Sequence, residues 1–464
     1  MTTGTPASPA VPDQSGAGST AADEAIEHSS QLESSSRSER APKQVWRERQ
    51  FGRYLGGFGL SLLGDQVWFV ALAWAAVRLG DPTEASVVMM AGSVPRAILL
   101  LLGGTLADRW GALRVTLGSQ MLRVLLMALV AITSVIVSPS VVLLAAVALI
   151  FGAIDAAHMP AAAALPPQLL PRENLPAGQG LVQTLERIAT IVGAPIGGFI
   201  VALGGLNIAA VVNVGLFCLA LLILRGLRLR TTTPDDAIGV ARPTNRHEGV
   251  WRSLRAGLRY VVRDSLLGPI LLVVSMLNIA VAAPLNVGIA LLAHERGWQA
   301  GGFSAIIAGF GIGATAGALS ILRFRPTRRP ATIGLLWVAL GSVCVAGLGI
   351  ATQLPVAAAI AAVLGFTSGP ASSLLLGLVQ AHAKTEYLGR VMALVAFSAL
   401  GLVPVAYAGF GLLVSATTIS TAFVICAVAE LLTALGALCL RQIRVANYVP
   451  SQSTPSASES IHPQ

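Results

Sequence analysis

The sequence predicts an all-α polytopic membrane protein with twelve transmembrane helices in two pseudo-symmetric six-helix bundles. Apolar residues make up 54% of the 464 positions and charged residues only 11%, whereas an average soluble domain has about 25% charged residues. Twelve apolar runs near the bilayer-spanning length follow one another along the chain, although helices of soluble domains average only about 11–12 residues. Features of the first six runs recur in the last six at one fixed offset.

The twelve predicted spans connect two polar tails. They are centred on residues 54–77, 86–104, 115–137, 140–163, 180–202, 207–224, 266–291, 302–322, 332–350, 355–378, 392–414 and 419–440. The N-terminal bundle therefore occupies 47–224 and the C-terminal bundle 266–441, with a polar linker over 225–265. A polar, Ser-rich composition predicts disordered tails at 1–46 and 442–464. The first tail lacks the apolar core of a signal peptide.

The two halves share residues that recur 213 positions apart, for example 317 minus 104. The recurring pairs are Gly104 with Gly317, Leu106 with Leu319, Gly152 with Gly365, Glu173 with Glu386, Leu175 with Leu388, and Asp65 opposite Asn278. One offset shared by several separate places indicates a duplicated six-helix unit. Parallel repeats of this kind are a transporter architecture, with the substrate site near the bilayer midplane between the halves.

The linker ends in WRSLRAGLRYVVRDS, which has the pattern of an amphipathic helix. Trp251, Leu254 and Leu258 recur at helical spacing, while Arg255 and Arg259 fall on another face. We expect this helix to lie in the membrane interface, held by apolar burial and anionic headgroups. Its expected role is to tether the two halves.

The basic residues set the orientation. If both termini are cytoplasmic, only Arg78 and Arg296 of the 31 Lys and Arg residues fall in external loops. The net charge of +9 then reflects a basic inner face rather than a nucleic-acid site, because the basic residues lie in short loops between spans. All four cysteines lie within predicted spans, so no disulfide framework is expected.

A charged turn, GGTLADRWGALRV, separates the second and third spans. Gly104 permits close backbone approach and Gly111 permits a tight turn. Asp108 lies near a helix C-terminus, where the helix dipole disfavours an anion, so it needs a partner. Candidate partners for Asp108 are Arg109, Arg114 and the N-terminus of a helix in the other half. We interpret these residues as a gate whose charges pair in one conformation and separate in another; a merely structural turn is the alternative.

This turn resembles the G-x-L-a-D-R-x-G-r-[RK] loop of the major facilitator superfamily, although Ala112 and Leu113 replace the basic pair. The segments SLLGDQV, LRVLL, LPPQLLPRENLPAGQGL and HAKTEYLGRVMAL resemble the branch that contains macrolide-efflux and enterobactin-exporter proteins. The resemblance covers roughly residues 50–440. It implies the fold of that superfamily, secondary active transport, and a multi-pass protein of a bacterial-type plasma membrane. We expect a monomer in the lipid bilayer, with a small molecule and protons as ligands and no cofactor or metal.

The fifth span contains VGAPIGGF, which resembles the exporter motif G-P-x-x-G-G. Gly193, Gly197 and Gly198 match the motif, while Ala194 replaces its proline and Pro195 follows one position later. Glycines let a neighbouring helix approach, and proline frees a backbone carbonyl and kinks the helix. In the family this kinked span is associated with antiport. We interpret the segment as evidence for export; ordinary helix packing is the alternative.

Charges within spans are costly and are therefore functional candidates. Asp65 lies in the first span and Asp155 in the fourth, and the resemblance implies that both helices line the transport cavity. A carboxylic acid held away from water can exchange a proton near neutrality. We therefore expect these two groups to couple proton flow to transport, with Arg123 of the third span as their partner; purely structural ion pairing is the alternative.

Other polar residues within the spans are weaker candidates. Glu186 and Arg187 lie close enough to the cytoplasm to pair or to reach water. Arg96 has no assigned role, and Glu430 is expected to be structural. His158 is expected to be an interfacial residue. Uncharged cavity candidates from the seventh and tenth spans are Asn278, Asn286, Thr367, Ser368 and Ser372. Such a pocket favours a bulky, mainly apolar substrate, and the two carboxylates additionally favour a cation.

These observations predict a proton-coupled exporter of a hydrophobic small molecule such as an antibiotic, drug or natural product. A proton-coupled nutrient importer and a non-transporting membrane receptor are the alternatives. The sequence has no nucleotide-binding loop, metal-ligand spacing or nucleophile–base signature, so neither enzyme activity nor ATP-driven transport is expected.

Overall fold

The structure, a computed structural model, describes residues 48–229, 250–323 and 329–446. The first half contains α1 (Arg49–Leu79), α2 (Pro82–Trp110), α3 (Ala112–Ile136), α4 (Val141–Ala163) and α5 (Leu175–Arg225). The linker helix is α6 (Val250–Arg263). The second half contains α7 (Leu267–Ala283), α8 (Ile289–Glu295), α9 (Gln299–Arg323), α10 (Pro330–Ile350), α11 (Leu354–His382), α12 (Thr385–Ala396), α13 (Val403–Ala416) and α14 (Ile419–Cys439). No strand occurs in the described ranges.

Short helical pieces join the long helices. They are Pro166–Leu169 and Arg172–Asn174 before α5, the π-helical turns Pro284–Gly288 and Phe397–Gly401, and Arg441–Val445 after α14. The π-helical turns join α7 to α8 and α12 to α13, so each pair runs nearly continuously. The predicted tail 1–46 lies outside the described residues. The predicted tail 442–464 begins within the last short helix, and its residues from 447 onward also lie outside them.

Ten helices of the described residues are long and apolar enough to cross a membrane. The 29-residue helix α2 adds another segment of that length. Helix α5 has 51 residues, and its backbone leaves helical geometry at Gly204 and at Gly205, where φ is +63°. It therefore consists of two segments, at the places of the predicted fifth and sixth spans. The all-α, multi-pass fold class is confirmed, and the twelve crossings remain a prediction.

The two halves use the same close helix crossing. In the first half α2 packs on α4, and in the second half α9 packs on α11. A Cβ atom on Gly152 of α4 would overlap the carbonyl of Gly92, and one on Gly365 of α11 would overlap the carbonyl of Phe310. Gly152 and Gly365 are one of the pairs that recur in the sequence, so the crossing supports the predicted duplication.

The halves contact each other near one end of the bundle, which we call the Leu79 end; the opposite end, where α1 begins, is the Arg49 end. The ring of Trp74 meets His294 edge-on, with centroids 5.9 Å apart. Gly411 of α13 packs against Ser86 of α2, and Gly198 of α5 packs against Ser304 of α9. The largest hydrophobic cluster includes buried residues of both halves. Small residues thus let the two halves meet closely near the Leu79 end.

The linker helix α6 confirms the predicted helix and packs on the second half. The ring of Tyr260 stacks on that of Tyr387, with centroids 4.4 Å apart and planes 11° from parallel. The Tyr260 hydroxyl accepts a hydrogen bond from the backbone N–H of Lys384 at 3.3 Å. Val261 is buried, whereas Leu258 and Val262 are exposed. One apolar face of α6 is therefore packed on α12, and its location in the membrane interface remains a prediction.

Candidate functional site

Arg123 of α3 is the centre of the intramembrane polar site. Its side chain is 0% exposed. The guanidinium carbon lies 5.3 Å from the ring centroid of Phe151 and 5.6 Å from that of Phe217. Cation–π contacts offset part of the cost of removing the charge from water. A fully buried guanidinium still requires carboxylate partners, and two aspartates supply them.

Asp155 of α4 is paired with two arginines. One of its oxygens accepts a short hydrogen bond from Arg123, and the other lies 2.6 Å from Nη2 of Arg96 on α2. The Asp155 side chain is only 5% exposed, whereas that of Arg96 is 36% exposed. Both oxygens of Asp155 are therefore engaged by guanidinium groups.

Asp65 of α1 is paired more loosely. Nη1 of Arg123 lies 3.2 Å from its Oδ1 and 3.4 Å from its Oδ2. The Oδ1 atom has no hydrogen bond in the described part of the chain. The Asp65 side chain is 27% exposed. Asp65 is therefore the carboxylate of this site that has both free hydrogen-bonding capacity and access to the cavity.

A second layer of hydrogen bonds positions Arg123. Its Nη1 donates to the Ser61 hydroxyl at 2.9 Å, and that hydroxyl donates to Oε1 of Gln120 at 3.1 Å. One turn from Asp155, buried His158 shares a 2.8 Å hydrogen bond between its Nδ1 and the Ser119 hydroxyl. These contacts join α1, α3 and α4 around the ion pairs. His158 is therefore buried between α3 and α4, and its place at the level of the membrane interface remains a prediction.

The charge cluster faces a cavity of roughly 340 Å³ between the two halves. Asp65 and Arg96 line it from the first half, and Asn286 and Tyr407 line it from the second. Its remaining lining is largely apolar and includes Trp68. Ion pairs, aromatic surface and hydrogen-bonding groups therefore meet in one chamber at the boundary of the repeats.

The structure brings Asp65, Arg123 and Asp155 together, as the sequence analysis predicts. It adds Arg96, which the sequence analysis ranks among the weaker candidates, and Tyr407, which it does not single out. Arg96 satisfies the criterion that selects Asp65, since it is a charge within a predicted span. No comparable sequence signal distinguishes Tyr407 from other aromatic residues in apolar runs.

Other candidates lie away from this cluster. Glu186 is partly exposed and Arg187 is exposed on α5. The side chain of Asn278 donates to the carbonyl of Val274 on its own helix at 2.9 Å. Buried Glu430 lies on α14, and its Oε2 has no hydrogen-bond partner among the described residues. None of these four side chains lines the central cavity.

The tenth-span candidates make hydrogen bonds within their own helix. Thr367 and Ser368 donate to the carbonyl of Leu364, and Ser372 donates to that of Gly369. They do not line the cavity that contains Asn286. Within the described ranges, no group of three or more His, Cys, Asp or Glu side chains is placed to hold a metal ion.

The predicted gate coincides with the turn between α2 and α3. Gly111 has φ +87°, a conformation that side chains with a Cβ rarely adopt. Arg109 and Arg114 on either side are exposed. The surroundings of Gly104 and the side chain of Asp108 lie outside the described residues, so the proposed pairing of the gate stays a prediction.

The exporter-like segment packs tightly within α5. A Cβ atom on Gly193 would lie 2.7 Å from that of Gln66, and one on Gly197 would lie 3.1 Å from the Cα of Val67. Gly198 faces the second half, as described above. The backbone dihedrals stay helical through Pro195. The glycines therefore do what the sequence analysis expects of them, whereas the backbone break in this helix comes later, at the junction of its two segments.

Comparisons with known proteins agree on one family. The model of the Major Facilitator Superfamily matches residues 54–408. The chain is 26% identical to the multidrug efflux pump Tap of Mycolicibacterium fortuitum over 398 residues, which cover 82% of this chain and 93% of that protein. It is 27% identical to the enterobactin exporter EntS of Shigella boydii over 297 residues, which cover 63% of this chain and 67% of that protein.

Solved transporter structures share the fold. A variant of the nucleoside transporter NupG superposes with a TM-score of 0.65 at 14% identity, covering 85% of this chain and 99% of that one. The peptide transporter POT in complex with sulfate gives a TM-score of 0.64 at 13% identity, covering 85% and 96%. At this level of identity the likeness concerns the fold alone.

Proposed function

The chain belongs to the major facilitator superfamily, and from this premise we propose that it exports a hydrophobic small molecule by proton antiport with alternating access. The observation that supports this best is the cluster of two carboxylates and two guanidinium groups that borders the cavity between the halves. Buried charge of this kind is expensive in a membrane and marks a transport pathway. Among the similar proteins, the multidrug efflux pump Tap and the enterobactin exporter EntS support the outward direction.

Asp65 is the proposed site of proton exchange. It borders the cavity, it is partly exposed, and one of its oxygens has no hydrogen bond among the described residues. The cluster of two aspartates and two arginines is neutral when all four groups are ionised. Protonation of Asp65 therefore leaves the cluster with one net positive charge. That charge repels a cationic cargo and releases Arg123 from one partner. A proton and a cationic cargo thus compete for Asp65, which is the requirement for antiport.

The aromatic lining favours an apolar cargo. Trp68, Phe69 and Tyr407 border the cavity, and Asn286 and Ser93 supply hydrogen-bonding groups beside them. Pockets for drug-sized ligands combine such surfaces with few polar groups. The lining supports a lipophilic, preferably cationic, compound with one or two hydrogen-bonding groups.

Alternating access would act on the contacts between the halves. With both termini in the cytoplasm, the Leu79 end faces outward, and the contacts of Gly198 with Ser304 and of Gly411 with Ser86 close that side. Release of cargo to the outside then requires these contacts to separate. Protonation at Asp65, a few helical turns deeper in α1, would favour the return to the closed arrangement.

The test is a growth-inhibition panel of lipophilic antibiotics and dyes in an efflux-deficient host. Cells with the wild-type protein are expected to survive higher concentrations of at least one compound and to extrude it. Asp65→Asn should abolish this while the protein reaches the membrane in normal amounts. Glu295→Gln, at an exposed carboxylate outside the cluster, is the matched control and should keep wild-type extrusion.

Three results would contradict the proposal. Normal extrusion by Asp65→Asn would show that Asp65 is not the site of proton exchange. Energy-dependent accumulation of the compound instead of its loss would favour the importer alternative. Absence of any transport by wild-type protein across the panel, with correct membrane insertion, would favour the receptor alternative.

A further inference from the structure

Four arginines surround a second cavity at the Arg49 end of the first half. Arg49 and Arg53 come from the first turns of α1, and Arg225 and Arg228 come from the end of α5 and the residues after it. The cavity measures roughly 520 Å³, and its polar lining also includes Gln50. It is separate from the central chamber, and the proposed transport cycle does not use it.

The chain itself maintains the shape of this cavity. Nη1 of Arg53 donates to the carbonyl of Gly226 at 3.2 Å, and Oε1 of Gln50 accepts from the backbone N–H of Arg228 at 3.1 Å. These two hydrogen bonds join the start of α1 to the end of α5. The two segments that carry the four arginines are therefore held together by contacts that need no ligand.

No salt bridge within the described residues neutralises the positive charge of this cavity. Every salt bridge found within the described residues involves Arg96 or Arg123 of the central site. The C-terminal dipole of α5 offsets part of one charge near Arg225. The remaining guanidinium groups, of which Arg49 and Arg228 are exposed, are free to bind an anion.

We propose that this four-arginine cavity binds a phosphate group, supplied by the headgroup of an anionic phospholipid. Planar guanidinium groups match the oxygens of a phosphate in geometry and charge. The cavity lies where the apolar part of α1 begins and that of α5 ends, which is the level of lipid headgroups. Basic pockets between transmembrane helices on the cytoplasmic side bind such headgroups. The bound lipid would join the first and sixth spans from the membrane side.

The test measures lipid binding by the full-length protein, independently of transport. Wild type is placed in phosphatidylcholine nanodiscs and titrated with phosphatidylglycerol, with bound lipid counted by native mass spectrometry and the unfolding temperature recorded. The variant is Arg225→Gln with Arg228→Gln, because neither side chain donates a hydrogen bond within the described residues. Arg441→Gln with Arg444→Gln, exposed at the same end, is the matched control.

We expect wild type and control to bind phosphatidylglycerol alike, and the Arg225/Arg228 variant to bind it roughly 30-fold more weakly. A second arm adds glycerol phosphate to phosphatidylcholine nanodiscs. If binding saturates with phosphatidylglycerol but not with glycerol phosphate, the bound phosphate comes from a lipid headgroup. If binding saturates with glycerol phosphate, the cavity is still a phosphate site, but its ligand is a soluble phosphate. If the variant is unstable in phosphatidylcholine, Arg49→Gln replaces it. Equal weakening in the control, or no saturable binding in either arm, would overturn the proposal.

Discussion

Replacing Asp155 by asparagine should destabilise the protein far more than the same change at Asp65. Asp155 contacts two guanidinium groups and is 5% exposed, whereas Asp65 contacts one and is 27% exposed. Without the Asp155 charge, fully buried Arg123 keeps only the Asp65 carboxylate, at 3.2 Å. Without the Asp65 charge, Arg123 keeps both Asp155 and the hydroxyl of Ser61.

The size of the two effects follows from this pairing. Removing one partner of a buried ion pair costs about 3–5 kcal/mol, because it leaves an uncompensated charge. Arg96 adds little to that figure, since its 36% exposed side chain is solvated when its partner is lost. For Asp65→Asn the loss is about 1 kcal/mol, because the lost contact is a long 3.4 Å hydrogen bond and the side chain is partly solvated, which brings its value near that of an exposed ion pair. The account therefore predicts a ratio of at least three between the two destabilisations.

Tryptophan fluorescence of the purified variants during denaturant unfolding measures this ratio. The double variant Arg123→Met with Asp155→Asn serves as an internal control, because it removes the fully buried guanidinium together with its main partner and leaves only the partly exposed one of Arg96. Its destabilisation should be smaller than the sum of the two single changes by about 0.5–3 kcal/mol. Equal stability of Asp155→Asn and Asp65→Asn, or strict additivity in the double variant, would show that Asp155 is not the fixed counterion.

Three further predictions concern other contacts. Arg96→Gln should lower efflux about tenfold while costing less stability than Asp155→Asn; unchanged efflux in the same host would exclude Arg96 from the site. Gly152→Ala should reduce folded protein on size-exclusion chromatography, since its Cβ overlaps a backbone carbonyl, whereas Gly56→Ala, with open space around it, should not; equal yields would contradict the close crossing. Gly411→Val should hold the Leu79 end apart and lower transport, because a Cβ atom at this position would overlap the side chain of Ser86, whereas Gly409→Val, with open space around it, should not. Normal transport by Gly411→Val would contradict closure at the Leu79 end.

Residue periodicity and composition were sufficient to predict the helices but not their exact form. The apolar runs locate each long helix, and the linker helix follows from the spacing of Leu254, Leu258 and the arginines. The junction within α5 is predicted as a break between two spans, and the structure locates that break at Gly204 and Gly205, where the backbone leaves helical geometry. Hydropathy averages over many residues, so it cannot register two dihedral angles.

The sequence predicts the members of the charge cluster only as far as the energetic cost of a charge within a membrane span identifies them. Asp65, Arg123 and Asp155 are charges in apolar runs, and that criterion brings them forward before any geometry is known. It does not rank Arg96, because the sequence does not show that α2 crosses α4 with Arg96 beside Asp155. The offset that aligns Asp65 with Asn278 is what a duplicated six-helix unit predicts, and it does not place Asn278 in the cavity.

The most direct test of the central claim is proton movement in proteoliposomes loaded with the compound that the growth panel identifies. An outward gradient of this compound should drive protons in the opposite direction through wild type, recorded by a pH-sensitive dye on the lumenal side. Asp65→Asn should abolish that proton flux, and Glu295→Gln should retain it. Compound efflux without any proton movement, or undiminished proton flux through Asp65→Asn, would contradict the account.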